Sequence, residues 1–318
     1  MNSTLVTDDT TILGRIIARG GIVVFPTETV YGIGASSTNP EACQRIYQIK
    51  NRPLDNPLIA HFDSLEQIEK YCYLPDFAIQ LLKRFSPGPL TLVLRKKVDS
   101  IFTLGLDTLA VRIPAHEGCL NLIRAAGVPV SAPSANPSGK PSFTRERDVL
   151  SYFMGKVDGI LKSTEPVIGI ESTVIDLTRE VPVLLRPGEI SKKDLLDVLP
   201  RLVGLQDWNT ETIVRSPGMK YRHYSPDAKV ILLKETEFRS VWERNQNNET
   251  SAFIGFGIDV KKSVDRNISN NKDYMRKLYS FFIDADKAGS AVCYCQEPIA
   301  DKYYDALLNR LSKAESKN

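Results

Sequence analysis

The strongest constraint on the fold is an alternation: short β-branched runs and segments of helical period succeed one another over residues 10–202, and polar residues gather where the apolar runs end. Thr10–Gly20 places Ile12, Leu13, Ile16 and Ile17 on one helical face, and Gly20-Gly21 supplies the stop. Ile22–Phe25 reads as a buried strand broken at Pro26. A second helix runs from Pro40 to about Lys50 with Ala42, Ile46 and Ile49 inward. Further strands are predicted over Leu58–Phe62, Leu90–Leu94, Leu109–Ile113, Val128–Ser131, Ser172–Leu177 and Val183–Leu185. Helices are predicted near Pro75–Phe85, Cys119–Ala126 and Ser191–Leu199. This alternation argues for an α/β domain whose sheet is largely covered, spanning residues 1–202.

Over residues 203–227 the period fails, and Ser216-Pro217-Gly218-Met219-Lys220-Tyr221-Arg222-His223-Tyr224-Ser225-Pro226 reads as an ordered connector rich in turn formers and aromatics. The alternation then resumes. Strands at Lys229–Leu233, Ala252–Phe256 and Ala291–Cys295 and helices at Glu237–Arg244, Lys272–Lys287 and Ile299–Lys313 make a smaller doubly wound, Rossmann-like unit over residues 228–318. It carries no Gly-x-Gly-x-x-Gly, so the pattern does not mark a dinucleotide site. A chain of 318 residues has room for two such units.

Composition narrows the function. A formal charge of +3 suits an anionic small molecule but is not the footprint of a dedicated nucleic-acid binder. No apolar run reaches the roughly 18 residues that span a bilayer, and Met1–Asp9 has no targeting pattern. The five cysteines are scattered without a C-x-x-C, so neither a disulfide framework nor a zinc site is expected, and a reduced cytoplasmic compartment fits.

The chemistry-bearing segments sit at strand ends, where open α/β sheets bind ligands. Pro26-Thr27-Glu28-Thr29-Val30-Tyr31-Gly32 is either an orienting loop for a polar ligand or a turn capped by its own threonines. Lys50-Asn51-Arg52 precedes a proline-bracketed turn, Pro53–Pro57, that leads into a strand closed by His61. In an extended segment, residues two apart share a side, so both cations would meet one polyanion, unless they are merely solvated. Arg112 lies inside an apolar strand and needs an acidic partner, from the protein or from a substrate. Small residues and hydroxyls over Val128–Gly139 either let backbone N–H groups approach a ligand or form a surface loop of turn formers; the same holds for Glu171-Ser172-Thr173 and Leu184–Gly188, with Arg186 a second candidate phosphate clamp. There is no P-loop, nucleophile elbow or metal-ligand spacing, so positioning and electrostatics are the expected chemistry.

Together, in this order, these segments resemble the L-threonylcarbamoyladenylate synthase family in its two-domain form, whose paired Lys-x-Arg and Ser-x-Asn stand here as Lys50/Arg52 and Ser134/Asn136. The resemblance implies a twisted α/β domain with a large concave, positively charged cavity for ATP and L-threonine. It implies that Thr29, His61, Arg112, Ala132 and Ser172 line the threonine pocket, with Arg112 meeting the substrate carboxylate. Arg52, Asn56, Thr108, Ser134, Ser142 and Arg186 would hold the nucleotide, with Lys50 and Asn136 nearby and Tyr221 reaching it from a connector that closes as a lid. Lys50, Arg52 and Arg186 would be the catalytic cations, and Mg²⁺ would arrive on the ATP phosphates with no direct protein ligand. The substrates implied are L-threonine, bicarbonate and ATP, and the product would serve a downstream tRNA-modifying transferase complex, direct contact with tRNA being left open. Two rival readings are an RNA- or nucleotide-binding module without catalysis and a carbamoyl-transfer enzyme, which would carry zinc-finger cysteines upstream.

Overall fold

A computed structural model describes residues 3–204 and 224–315. The first unit is built on an eleven-stranded mixed sheet. Its strands run in the order β1 (Leu5–Thr7), β8 (Gly159–Leu161), β2 (Val23–Pro26), β3 (Tyr31–Ser36), β7 (Val130–Ala132), β4 (Ile59–His61), β6 (Thr108–Arg112), β5 (Leu90–Arg95), β9 (Thr173–Asp176), β10 (Val183–Arg186) and β11 (Val203–Gly204). Helices α1 (Thr10–Ala18), α2 (Pro40–Lys50), α3 (Leu65–Glu69), α4 (Asp76–Phe85), α5 (Glu117–Ala126), α6 (Glu146–Phe153) and α7 (Lys192–Leu196) accompany it.

Local chemistry accounts for the helix ends. Asp9 caps α1, accepting from the Thr11 and Ile12 N–H groups at 2.8 and 3.0 Å. Gly14 lets α1 cross closely over α5, since a Cβ there would lie 2.6 Å from Ala125. Asn39 caps α2, Pro40 opens it, and Asn51 closes it in the left-handed conformation at φ 51°.

Several elements were not anticipated. Strands β1, β3 and β8 and helices α3 and α6 fall where no element was predicted, and β11 carries the first sheet into the start of the predicted connector. β3 hid because its Tyr-Gly-Ile-Gly-Ala-Ser run is buried throughout, without the alternation that marks a half-exposed strand. Its Gly34 is required by close approach: a Cβ would sit 2.7 Å from both Phe25 and Val130.

The second unit is an all-parallel sheet in the order β12 (Lys229–Leu233), β15 (Val292–Gln296), β13 (Ser251–Phe256), β14 (Arg266–Ile268). Period-two alternation along β13 sends Ala252 and Ile254 into the core shared with α9 (Asn271–Lys287) and α10 (Tyr304–Ala314). The intervening Phe253 packs with Phe238 and Trp242 of α8 (Glu235–Asn245) on the other face. This is the doubly wound arrangement expected, with β14 as an added edge strand.

The two units share a core. Val30, Ile168 and Ile170 of the first are buried in one cluster with Tyr274, Met275 and Leu278 of α9. Burying each such side chain contributes about 1.5–3 kcal/mol, so the Thr27–Tyr31 loop is fastened from the second unit. Arg145 adds a bidentate contact, its two terminal nitrogens 2.7 and 2.8 Å from the Asp284 oxygens.

Candidate active site

A single cavity collects the ends of β2, β3, β4, β6, β7 and β10. Among its lining residues are Thr29, Arg52, His61, Arg112, Ala132, Ser134, Ser172 and Arg186, all singled out from the sequence, together with Glu171 and Tyr224, which were not assigned roles. β4, β6 and β7 lie side by side with His61 opposite both Arg112 and Val130, which brings His61 and Arg112 to one end of the sheet.

The Thr27–Val30 segment is both a capped turn and a pocket wall. Thr27 Oγ1 donates to the Val30 carbonyl at 2.7 Å and lies 2.8 Å from Thr29 Oγ1. Arg112 is buried, and the acid facing it is Glu28, with Arg112 Nη2 2.8 Å from Glu28 Oε1. The protein-partner alternative for Arg112 is thus realised in Glu28. Neither carboxylate oxygen of Glu28 nor Arg112 Nη2 completes a hydrogen bond of good geometry, so the pair is charge-compensated with donor capacity to spare.

Arg186 is buried and cross-braced, with Nε donating to the Ser172 carbonyl at 2.9 Å and Nη2 to Ser172 Oγ at 3.1 Å. Ser172 Oγ also lies 2.8 Å from Thr91 Oγ1. Arg52 donates through Nε to the Asn56 carbonyl at 3.0 Å and through Nη2 to the Pro57 carbonyl at 3.1 Å, which aims the rest of its guanidinium into the cavity.

Lys50 does not face the cavity beside Arg52, and the reason is local. Lys50 is the last residue of α2, and the left-handed Asn51 turns the chain between it and Arg52, so the two cations do not share an extended face. Lys50 is buried beneath the pocket. Its Nζ donates to the Ser134 carbonyl at 2.5 Å, the Asn136 carbonyl at 2.6 Å and Asn136 Oδ1 at 3.2 Å, using all three ammonium protons. Ser134 Oγ donates to the same Asn136 Oδ1 at 2.6 Å. Lys50 and the Ser-x-Asn pair are therefore one physical unit, in which Lys50 and Asn136 hold the loop that presents Ser134, while Arg52 is braced separately by the Asn56 and Pro57 carbonyls.

Other predicted nucleotide contacts stand outside the cavity. Asn56 offers its carbonyl to Arg52 and to Tyr47 Oη. Thr108 lines a neighbouring depression that shares Pro57 with the main cavity. Ser142 is fully buried and donates to Glu171 Oε1 at 2.6 Å. Tyr221 lies outside the described residues.

His61 is buried against the Arg112 charge, and burial first, then that charge, push its pKa from 6.5 down to about 3. Its imidazole is therefore neutral and can offer one donor and one acceptor to a ligand. The depressed value carries a stability consequence. Below the ordinary histidine value the unfolded chain takes up a proton that folded His61 refuses, so stability is complete above about 6.5 and falls as pH drops toward 3, by about 1.4 kcal/mol per unit. The acid-side decline in chemical-denaturation stability is expected to flatten in His61→Gln. Parallel declines in the two proteins would refute the buried neutral assignment.

Comparison with known proteins identifies the family. A family model described as "Telomere recombination" matches residues 15–188, and one described as "Threonylcarbamoyl-AMP synthase, C-terminal domain" matches residues 190–316. A threonylcarbamoyl-AMP synthase from Pyrococcus abyssi is 48% identical over 95% of this chain and 93% of its own length. The chain belongs to the threonylcarbamoyl-AMP synthase family. A second relative of that name, from Bacillus subtilis, is 45% identical over 68% of this chain and 64% of its own length. The crystal structure of P. abyssi Sua5 complexed with L-threonine superposes with a TM-score of 0.89 at 37% identity, covering 98% of this chain and 96% of that one. The two-unit α/β architecture is thus that of the family.

Proposed function

We propose that this cavity carries out the full threonylcarbamoyl-AMP synthase reaction, joining L-threonine, bicarbonate-derived CO₂ and the AMP moiety of ATP. One observation carries the reading: Arg112 and the pair Arg52/Arg186 open onto the same cavity, so a carboxylate and a polyphosphate can be held side by side. Arg112 receives the threonine carboxylate, with Thr29, neutral His61, Ala132 and Ser172 shaping the space around the rest of the amino acid. Ser134, Arg52 and Arg186 receive the nucleotide phosphates.

The chemistry follows from what these groups supply. The neutral amine of threonine attacks the carbon of CO₂ and gives its proton to the hydroxide released when bicarbonate yields CO₂, leaving an N-carboxylate and water. A carboxylate oxygen then attacks the α-phosphorus of ATP, the bond from that phosphorus to the bridging oxygen of the β-phosphate breaks, and pyrophosphate leaves. Charge gathers on the departing phosphates, where the fixed guanidinium groups of Arg52 and Arg186 stabilise it without reorganising. Holding both reactants in register supplies the entropic part of the acceleration. Mg²⁺ is taken to arrive on the ATP phosphates, where it would help neutralise their charge. The product, a mixed anhydride, is consumed by a transferase that modifies tRNA, in the cytoplasm.

The test is pyrophosphate release from MgATP by the purified chain. Release is expected to require both L-threonine and bicarbonate and to fall by at least about tenfold with serine or valine, the discrimination a single methyl or hydroxyl contact supports. Release independent of the amino acid, or none at all from a protein that binds ATP, would remove the reading.

A further inference from the structure

The second unit meets the cavity wall through a group of polar side chains with Arg310 at its centre. Arg310, on α10, has no solvent exposure, and besides Asn309 Oδ1 of its own helix, 3.1 Å from Nη1, it bonds to groups of the first unit. Nε donates to Glu171 Oε2 at 3.1 Å, Nη2 to the Glu171 carbonyl at 3.1 Å and Nη1 to the Pro187 carbonyl at 2.6 Å. Glu171 and Pro187 are the immediate neighbours of Ser172 and Arg186, the two residues already bonded to each other in the pocket wall. Glu171 is further held by Tyr279 of α9, whose hydroxyl donates to Oε2 at 2.9 Å, and by Ser142 at 2.6 Å. The Glu171–Thr173 and Arg186–Gly188 segments pack so closely that a Cβ on Gly188 would lie 2.5 Å from the Thr173 nitrogen. Tyr224 stacks on Tyr279 at 5.5 Å between ring centroids, with the Arg310 guanidinium 5.5 Å above the Tyr224 ring.

A buried ion pair of this kind is a poor source of stability, because desolvating two charges offsets most of their attraction. What it does supply is register: a planar donor fork bonded to two backbone carbonyls and one carboxylate tolerates little displacement. We propose that Arg310 is a positioning residue for the synthase reaction, fixing Ser172 and Arg186 from the second unit through Glu171 and Pro187, with Tyr279 as its support. The proposal rests on the functional reading given above. The second unit is then part of the active-site scaffold, and a shift of α10 is a shift of the phosphate clamp.

The measurement separates positioning from stability. Arg310→Met, Arg310→Lys and Tyr279→Phe would be made in the full chain and compared with wild type for melting temperature, for kcat and KM with threonine and ATP, and for the pH dependence of pyrophosphate release. The groups facing Glu171 are Arg310 and Lys313 from α10, Tyr279 from α9, Tyr224, Arg186 from β10 and Lys50 from α2. Burial alone would raise the Glu171 carboxyl, but Arg310, then Arg186 and Ser142, hold it below its ordinary value.

Removing Arg310 is therefore expected to move the acid side of the rate profile to higher pH than in wild type, with KM for ATP rising about tenfold or more, the cost of one lost charge-assisted contact. Arg310→Lys should recover part of both effects, and Tyr279→Phe should show a smaller KM rise with wild-type folding. Unchanged kcat, KM and pH profile in variants that merely melt earlier would overturn the proposal. If Arg310→Met does not fold, wild-type kinetics in both Arg310→Lys and Tyr279→Phe would overturn it equally. Wild type failing to release pyrophosphate would instead count against the reaction itself.

Discussion

Arg112→Met is expected to raise the KM for L-threonine about 100-fold, because in the proposed function the substrate carboxylate loses a charge-assisted contact of roughly 1.5–3 kcal/mol. The same change strips Glu28 of the cation facing it at 2.8 Å, and Glu28 is buried with neither carboxylate oxygen otherwise satisfied. Leaving one member of a buried pair uncompensated costs roughly 3–5 kcal/mol, so the variant should also melt well below wild type. The two effects separate in the double variant Arg112→Met/Glu28→Gln, which removes the stranded charge. Its melting temperature is expected to recover most of the loss while the threonine KM stays high. A folded Arg112→Met protein with an unchanged threonine KM would show that the carboxylate is held elsewhere, and that the Glu28 pair is the whole purpose of this arginine.

Arg112 also shows how far residue order carries and where it stops. A cation inside an apolar strand demands an acid, and that demand was legible; the identity of Glu28 was not, because the pair is made across two loops that only the folded sheet brings together. Arg310 gives the same signal. It occupies a core position of α10 among Ala306, Leu307, Leu311 and Ala314, all buried, yet its acid stands 139 residues away in the other unit. The strands and helices with clear period were placed to within a few residues, from Pro40–Lys50 to Lys229–Leu233. Among those that escaped were β3, whose burial on both faces erases alternation, and the short segments β1, β8 and α3, each too brief for a period to develop. Tyr224 and Tyr279 escaped for a different reason: aromatic residues at a unit boundary look in sequence like any other core.

The grouping of the strand-end segments was legible because open α/β sheets bind ligands at strand ends. The division of labour inside the group was not, since it depends on single backbone angles. At Asn51, one left-handed residue decides whether a lysine faces solvent-borne phosphate or the underside of a loop.

That angle yields the second large effect. Arg52→Met is expected to weaken ATP binding about 100-fold at a nearly unchanged melting temperature, since Arg52 is only half-buried and its loss removes a pocket cation worth roughly 1.5–3 kcal/mol. Lys50→Met should behave differently. It leaves the carbonyls of Ser134 and Asn136 buried and short of a donor, at roughly 1–3 kcal/mol each, and frees the loop that carries Ser134. The expected result is a fall in melting temperature together with lost turnover, because Ser134 and the segment down to Ala132 shift at once. Calorimetry and ATP titration on the two single variants distinguish the roles. If Lys50→Met melts like wild type and loses turnover alone, the lysine touches the phosphates after all and the loop-holding assignment is wrong. If Arg52→Met also collapses in stability, its contacts to the Asn56 and Pro57 carbonyls, not its charge in the cavity, are what the fold selects it for.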